Sequence, residues 1–309
     1  MKTILIFGGS GFIGRHLVDE LMEDYKIIIL SRDPSKTSAF SHNNVTVEQY
    51  SPEDVKTLIP LFEKSTGIIN LSGQNIGEKS WSKDFKDQIL KSRIEIGSLI
   101  KNTFDRCENK PSFFIQSSAV HYYGVNPTDA EIKEDRPSTR DCFLTMVAVQ
   151  AEENVRQLEN QTRLIYARTG IVLDKVNGAL SKMAMPIKMF VGGPLGNGKQ
   201  WVSWIYINDI VRAFHFIIEN ENISRGVNLT APHPVRQKDF AKAIGKAIHR
   251  PAFFPAPAIA LRLILGKDRA NDLLLSGLNV IPDKLLKAGF KFQFETIEEG
   301  LNEIYRMAI

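Results

Sequence analysis

The first thirty residues constrain the fold most, because an apolar run passes through closely spaced glycines directly into a helical pattern. Residues 4–7 are apolar, glycines follow at 8, 9, 11 and 14, and apolar side chains then recur with helical spacing up to position 21. A second apolar run, 27–30, ends at Ser31 and Arg32. A strand that turns through glycines into a helix presents backbone N–H groups at the positive helix end, which suits the pyrophosphate of a dinucleotide. The stretch therefore predicts the first βαβ unit of a dinucleotide-binding fold.

The end of the second predicted strand indicates which dinucleotide this turn would hold. An acidic residue there typically bonds the ribose hydroxyls of NAD, whereas an arginine can pair with the 2′-phosphate of NADP. Ser31 and Arg32 occupy this place, and the first acid, Asp33, follows one residue later. The sequence therefore favours NADP (NADPH). NAD stays as the alternative because Asp33 is near.

Composition places the chain among globular proteins. Of its 309 residues, 43% are apolar, which is ample for a core. The net charge of +4 is scattered along the sequence, so we expect neither a nucleic-acid nor a membrane partner. Cys107 and Cys142 have no zinc-like spacing and fit a reducing compartment. Without a visible signal peptide or an apolar run of membrane length, we expect a cytoplasmic protein with no metal site.

Strand and helix patterns alternate through the first half of the chain. Strands are predicted near 45–48, 67–71, 112–116 and 163–168, and helices near 52–62, with Ser51 as cap, 81–104 and 141–158. Repeated βα units predict an α/β fold, a Rossmann-type doubly wound parallel sheet with right-handed crossovers. Because ligands bind at the carboxyl ends of such strands, one rim should carry the glycine turn and the strand-end residues. These are Gly8, Ser10, Gly11, Phe12, Ile13, Gly14, Ser31, Arg32, Leu71, Ser72, Gly73, Ser117, Ser118 and Arg168.

The pattern loosens from about residue 170. We expect residues 1–170 to form an NADP-binding Rossmann domain, with its sheet completed by a strand near 226–230. Residues 171–309 would then form a smaller, mostly helical substrate lobe that includes the segment at about 250–300 and a last helix near 297–307. Asp209 is most simply a helix-start residue in this lobe.

Short motifs extend the argument along nearly the whole chain. They include GGSGFIGRHL at 8–17, INLSGQNI at 69–76, SSAVHYYG at 117–124, RTGIVL at 168–173, GGPLGNGKQWVSWIYINDIVRA at 192–213 and LLKAGFKF at 285–292. Together they resemble the extended short-chain dehydrogenase/reductases, and more narrowly the atypical epimerase family proteins, a branch that includes the human family 39U. This resemblance implies NADP binding at the glycine turn, at Ser31 and Arg32, and at Leu71 and Ser72. It adds Gln88, Arg93 and Ile171 as cofactor contacts, although Arg93 could equally be a solvated helix cation.

The resemblance also implies where catalytic groups should lie, and the usual pair is missing. Ordinary members use a YxxxK motif, in which lysine lowers the tyrosine pKa so that the phenol can shuttle a proton. The corresponding residues 143–153 contain neither tyrosine nor lysine. Aligning Tyr123 and Gly124 with the usual YG pair places the catalytic serine position on Ala119, with Ser118 beside it. Ser118 would therefore have to be recruited by a local shift, or it simply bonds the backbone at the strand end.

Two tyrosines in the same loop could replace the missing phenol. Tyr122 and Tyr123 follow the fifth predicted strand, and their side chains should face opposite ways. One could donate a proton in the cleft, or one could be core while the other lines the cofactor pocket. His121 lies beside them and titrates near neutrality. The catalytic candidates are therefore Ser118, Tyr123 and Tyr122.

Three functions remain open. The favoured one is an NADP-dependent oxidoreductase or sugar-nucleotide epimerase/dehydratase-like enzyme with a small-molecule substrate and a rebuilt acid/base group. The alternative is a non-catalytic NADP-binding redox sensor or regulator, because cofactor residues are retained where catalytic residues are lost. The third is reduction of an enone or imine. By analogy with related folds, the helices near 81–104 and 141–158 could pair in a homodimer.

Overall fold

The computed structural model describes residues 1–37, 40, 42–52, 54–125 and 129–306. The strands in chain order are β1 (Thr3–Phe7), β2 (Lys26–Ser31), β3 (Val45–Gln49), β4 (Gly67–Asn70), β5 (Phe113–Ala119), β6 (Arg163–Thr169), β7 (Ile171–Leu173), β8 (Trp201–Val202), β9 (Trp204–Tyr206), β10 (Arg225–Leu229) and β11 (Val235–Arg236). The helices are α1 (Phe12–Leu21), α2 (Val55–Lys64), α3 (Lys83–Phe104), α4 (Phe143–Val155), α5 (Gly178–Lys188), α6 (Ile207–Glu219), α7 (Gln237–Ala247), α8 (Ala258–Leu265), α9 (Lys267–Ala270), α10 (Asp283–Lys287) and α11 (Ile297–Arg306).

Seven of these strands form one parallel sheet in the order β10-β6-β5-β4-β1-β2-β3. β1 lies between β2 and β4, so the chain changes direction across the sheet at this point. Ligand crevices of open α/β sheets lie at such a switch point, outside the carboxyl ends of the strands. The glycine turn between β1 and α1 lies at this position.

Helices pack on both faces of the sheet, against side chains that alternate along each strand. Ile4 and Ile6 share a core with α1 and α6, whereas Leu5 and Phe7 share another with α2 and α3. Strands buried on both faces read as continuous apolar runs, which is why the runs along the first half were recognisable. The arrangement confirms the predicted Rossmann-type α/β fold.

The C-terminal part of the chain supplies β10 to the edge of the sheet, beside β6. It also forms two small two-stranded sheets, β7 with β9 and β8 with β11, and the short helices that follow. Among the described residues, no helix is long and apolar enough to cross a membrane. The described residues also contain no group of three or more His, Cys, Asp or Glu side chains suited to a metal ion.

Two predicted element boundaries were wrong, those of α2 and β5. α2 begins at Val55 and not at Pro52, because the Asp54 carboxylate accepts hydrogen bonds from the N–H groups of Lys56 and Thr57 (3.0 and 3.3 Å) and caps the helix there. The strand predicted near 112–116 runs on to Ala119. The last helix is described to Arg306, and Met307, its predicted end, lies outside the described residues.

Candidate functional site

The turn between β1 and α1 has a shape that its glycines make possible. Gly8 has φ +76°, and a Cβ there would lie 2.9 Å from the carbonyl carbon of Leu71 and from the amide nitrogen of Ser72. A Cβ on Gly14 would lie 2.3 Å from the carbonyl oxygen of Gly8. The Gly11 N–H donates to that same oxygen at 3.0 Å. Without side chains, the turn folds tightly and packs α1 and the end of β4 closely against β1.

The first turn of α1 is open to an anion. Gly11 is its N-cap and gives no side-chain hydrogen bond, and the first turn contains no acidic residue. Ser10, Phe12 and Ile13 surround this helix end and are half-buried. Unpaired N–H groups at the positive end of a helix are suited to phosphate.

The end of β2 presents one exposed cation. The Arg32 side chain is exposed, and no partner for its guanidinium is found within the described residues. The Ser31 hydroxyl accepts hydrogen bonds from the Asp33 N–H (3.2 Å) and from the Thr37 hydroxyl (3.1 Å). The Asp33 carboxylate accepts a hydrogen bond from the Ser35 hydroxyl at 2.6 Å. Ser31 and Asp33 therefore shape the loop, while Arg32 remains available to a ligand.

Arg93 on α3 reaches the rim beside β4. A Cβ on Gly73 would lie 3.0 Å from the Arg93 Cζ, so the guanidinium lies against that glycine. Arg93 donates to the carbonyl oxygens of Gln74 (3.2 Å) and Ile89 (2.9 Å), and burial lowers its pKa to about 10. No carboxylate pairs with it in the part of the chain that the structure describes. Gln88, the other predicted contact on α3, is exposed.

Ser118 belongs to a buried network on the α4 side of the sheet. Its hydroxyl donates to Glu152 Oε1 at 2.7 Å. Glu152 also accepts two hydrogen bonds from Arg168, from Nε at 2.9 Å and from Nη2 at 2.8 Å. Glu152 and Arg168 are both buried. Arg168, which was predicted to contact the cofactor, therefore already forms an ion pair with Glu152.

Tyr123 continues this network. Its hydroxyl accepts a hydrogen bond from Arg168 Nη1 at 2.9 Å and donates to Asn228 Oδ1 at 2.6 Å. Burial raises the pKa of this phenol far above its usual range, although the charge of Arg168 opposes the rise. Asn228 in turn donates to the carbonyl oxygen of Ile281 at 2.9 Å. The phenol of Tyr123 thus joins the sheet to the C-terminal segment.

Tyr122 packs against the same arginine. The Arg168 Cζ is 3.5 Å from the centre of the Tyr122 ring, which meets the Tyr123 ring edge-on at 5.4 Å. Within the described residues, the Tyr122 hydroxyl makes no hydrogen bond to another part of the chain. His121 donates from Nε2–H to the carbonyl oxygen of Asp272 (3.1 Å), and burial lowers its pKa. Of the candidate tyrosines, Tyr122 is the one with an uncommitted hydroxyl.

Tyr122 also lines a groove of about 500 Å³ at the β10 edge of the sheet, and three strands lie between β10 and β1. Charged side chains of both signs line it, and they include Glu134, Glu152, Arg156, Glu159, Arg168, Arg225 and Lys284. The groove is therefore separate from the glycine turn.

The remaining predicted contacts lie near the rim. Ser117 is half-buried at the end of β5, and its carbonyl oxygen accepts a hydrogen bond from the Gln116 side chain at 3.0 Å. Ile171 is half-buried in β7, where its N–H donates to the carbonyl oxygen of Ser203 at 2.8 Å. Sequence reasoning missed Glu152. A signal existed, because Glu152 follows Ala148 by four residues and precedes Val155 by three, which places an acid on the apolar face of α4, where it requires a buried partner.

Comparison with known proteins identifies the family. The model of the NAD dependent epimerase/dehydratase family matches residues 4–229, and that of a domain of unknown function, DUF1731, matches residues 256–304. An epimerase family protein of Staphylococcus epidermidis is 33% identical over 308 residues, covering 99% of this chain and 100% of the relative. A relative from Staphylococcus aureus is 33% identical over 318 residues and covers 99% of this chain and 100% of its own length.

Solved structures agree with this assignment. The crystal structure of human epimerase family protein SDR39U1 (isoform 2) with NADPH has a TM-score of 0.86, at 28% identity, and covers 98% of this chain and 99% of the human one. The UDP-glucuronic acid 4-epimerase of Bacillus cereus, solved with UDP-glucuronic acid and NAD, has a TM-score of 0.78 at 16% identity and covers 99% and 100%. At that identity it shows a shared fold. The resemblance predicted from the motifs is confirmed, and the chain belongs to the NAD dependent epimerase/dehydratase family, among its epimerase family proteins.

Proposed function

We propose that this chain binds NADPH along the carboxyl edge of its sheet. The pyrophosphate would lie on the glycine turn at the start of α1, and Arg32 would pair with the 2′-phosphate. The NADPH in the human relative supports this choice and agrees with the cofactor predicted from Ser31 and Arg32.

The unpaired guanidinium of Arg93 beside Gly73 carries this proposal. A half-buried cation without a carboxylate partner is unfavourable, and a negatively charged or polar ligand at the rim would compensate it. Its two hydrogen bonds to the carbonyl oxygens of Gln74 and Ile89 orient it but do not neutralise its charge. We therefore place a phosphate or ribose oxygen of the cofactor next to Arg93.

For the reaction, we infer an oxidoreductase or a sugar-nucleotide epimerase/dehydratase-like enzyme of the extended short-chain type, acting on a small molecule. When bound, the nicotinamide supplies hydride transfer. Membership of the epimerase/dehydratase family supports this class. The residues of the chain would hold the cofactor and substrate and provide a proton.

Among the three candidate hydroxyls, Tyr122 is the one we propose as proton donor. The hydroxyls of Ser118 and Tyr123 are engaged by Glu152, Arg168 and Asn228. The Tyr122 ring lies over the Arg168 guanidinium, and within the described residues its hydroxyl has no partner in the chain, which leaves it available to a substrate.

A second candidate function is a non-catalytic NADPH-binding regulator. One observation favours it: α4 lacks YxxxK, and two of the three candidate hydroxyls are held in a saturated network. This candidate predicts tight cofactor binding without turnover.

Cofactor affinity is the first test. Purified protein would be titrated with NADPH and with NADH, with the fluorescence of the bound cofactor as the readout. Arg32→Glu should weaken NADPH binding more than tenfold and leave NADH unchanged or improved. Lys64→Glu is the matched control, because it makes the same charge change at the exposed end of α2, near the amino ends of the strands. Equal loss of both cofactors in Arg32→Glu would refute the 2′-phosphate assignment.

Turnover is the second test. The protein would be incubated with NADPH and a panel of carbonyl, enone and sugar-nucleotide compounds, with product analysis to detect redox-neutral epimerisation. Where turnover exists, Tyr122→Phe should lower the rate at least a hundredfold, as for loss of an acid/base group, while Tyr123→Phe should act mainly on stability. Tight NADPH binding without any product would favour the regulator.

A further inference from the structure

Exposed apolar side chains are concentrated in two short segments of the C-terminal half. Of the 13 large apolar residues that are exposed among those the structure describes, nine lie within 185–191 and 253–264. The first segment, at the end of α5, contributes Met185, Met189, Phe190 and Val191. Such a concentration is unusual, because single exposed apolar residues are normally scattered over a protein surface.

These two segments lie side by side. The Phe254 N–H donates to the carbonyl oxygen of Gly192 at 3.3 Å, and the Ala256 N–H donates to that of Pro194 at 2.8 Å. The Phe253 and Phe254 rings are 4.7 Å apart, and both side chains are exposed. The aromatic residues of the second segment therefore continue the apolar surface at the end of α5.

The helix α8 extends this surface. Seven of its eight residues are apolar, and none of the eight is buried. Ile259 and Leu263, one helical turn apart, are 71% and 81% exposed, and Ile264 is 77% exposed. A helix that is apolar on all sides normally lies in a core or in an apolar medium. We call the exposed side chains of 185–191 and 253–264 the apolar patch.

Positive charge surrounds the apolar patch. Residues 178–200 and 246–270 contain eight lysines and arginines and a single acid, Asp268, which is paired with Lys86. These residues carry a net charge of +7, whereas the whole chain carries +4, so the rest of the chain carries −3. Lys188, Arg250 and Lys267 are exposed, and the Arg250 guanidinium lies 4.9 Å from the centre of the Phe190 ring.

We propose that the apolar patch binds the surface of a bilayer that contains anionic lipids. Exposed aromatic and aliphatic side chains with lysines and arginines around them are the features of interfacial membrane contacts, which combine apolar burial with attraction to anionic headgroups. A second copy is a poorer occupant, because a symmetric interface through this patch would bring together two pairs of segments that each carry a net charge of +7. The sequence alone did not indicate a membrane, since the two basic segments are about 50 residues apart in the chain and become neighbours only in the fold.

Vesicle co-sedimentation tests this proposal with the full-length protein. Vesicles of phosphatidylcholine alone would be compared with vesicles that contain 30% phosphatidylglycerol, at low and at high salt. We expect binding to the anionic vesicles at least tenfold tighter than to the neutral ones and weakened by salt. Ile259→Glu/Leu263→Glu should reduce that binding more than tenfold, and Arg250→Gln about fivefold.

Matched controls separate this contact from general effects. Leu286→Glu introduces one such charge at an exposed apolar residue outside the patch; it is the control for the single variant Leu263→Glu and should leave vesicle binding near wild type. Circular dichroism of each variant verifies its fold, and analytical ultracentrifugation measures its association state. Absence of binding to anionic vesicles, equal binding to neutral vesicles, or equal loss with Leu286→Glu would each overturn the proposal. So would a wild-type oligomer that Ile259→Glu/Leu263→Glu dissociates, because the patch would then be covered by a second copy.

Discussion

Glu152→Gln removes the acid from the most buried ion pair in the described chain. Glu152 is 3% exposed and Arg168 is 5% exposed, and two hydrogen bonds of 2.9 and 2.8 Å join them. A guanidinium stays protonated inside proteins, so Arg168 remains charged when its partner becomes neutral. The variant therefore leaves an uncompensated cation inside the protein.

Breaking a buried pair in this way costs about 3–5 kcal/mol of unfolding free energy. Glu153 offers a matched control one residue away, because it pairs with Arg140 at the surface and both side chains are largely exposed. Loss of an exposed pair costs at most about 1 kcal/mol. Glu152→Gln should therefore lose several times as much stability as Glu153→Gln, although the chemical change is identical.

Urea unfolding, followed by far-UV circular dichroism, measures both variants against the wild type. Combining Glu152→Gln with Arg168→Gln should cost less than the sum of the two single changes, because the second change removes the stranded charge. If Glu152→Gln falls within 1 kcal/mol of Glu153→Gln, the pair does not stabilise the fold and the network described here is not a structural one.

Three further expectations follow from single positions. Gly14→Ala places a Cβ 2.3 Å from the Gly8 carbonyl oxygen and should lower NADPH affinity more than tenfold in the fluorescence titration. Burial raises the pKa values of Cys107 and Cys142 to about 11, so iodoacetamide at pH 8 should modify them about a hundredfold more slowly than a free thiol, measured by mass spectrometry. Because these folded-state pKa values lie above that of the free thiol, the stability that both thiols contribute is lost as the pH rises toward 11. Asp209→Ala should cost about 1–3 kcal/mol in urea unfolding, since its buried carboxylate accepts the N–H groups of Gln293 (2.7 Å) and Phe294 (3.0 Å).

Local patterns explain why so much of the fold could be predicted. Strands buried on both faces are apolar runs, and the glycine turn has a spacing that close packing of β1, α1 and β4 requires. Boundaries were less accurate where two signals compete within a few residues. At α2, Ser51 and Pro52 resemble a helix start, but the Asp54 carboxylate caps the helix instead.

The candidate site was predictable only in part, because its buried network joins residues far apart in the sequence. Arg168, Glu152 and Tyr123 come from β6, α4 and the segment after β5, and no local spacing links them. Arg93 had two interpretations from sequence, and the fold places its guanidinium beside Gly73 rather than in solvent. Asp209 looked like a helix-start residue, but its carboxylate also holds the backbone of the C-terminal segment.

The two regions matched by family models, 4–229 and 256–304, are joined by side-chain hydrogen bonds. Asn228 and Thr230, at the end of β10, donate to the carbonyl oxygens of Ile281 and Val280 (2.9 and 3.2 Å), and the Ser203 hydroxyl donates to that of Leu278 at 2.6 Å. Asn228 also accepts a hydrogen bond from the Tyr123 hydroxyl. The hydrogen-bond network that begins at Ser118 and passes through Glu152 and Arg168 therefore reaches the second region. The same network therefore links the end of β5 to the C-terminal segment.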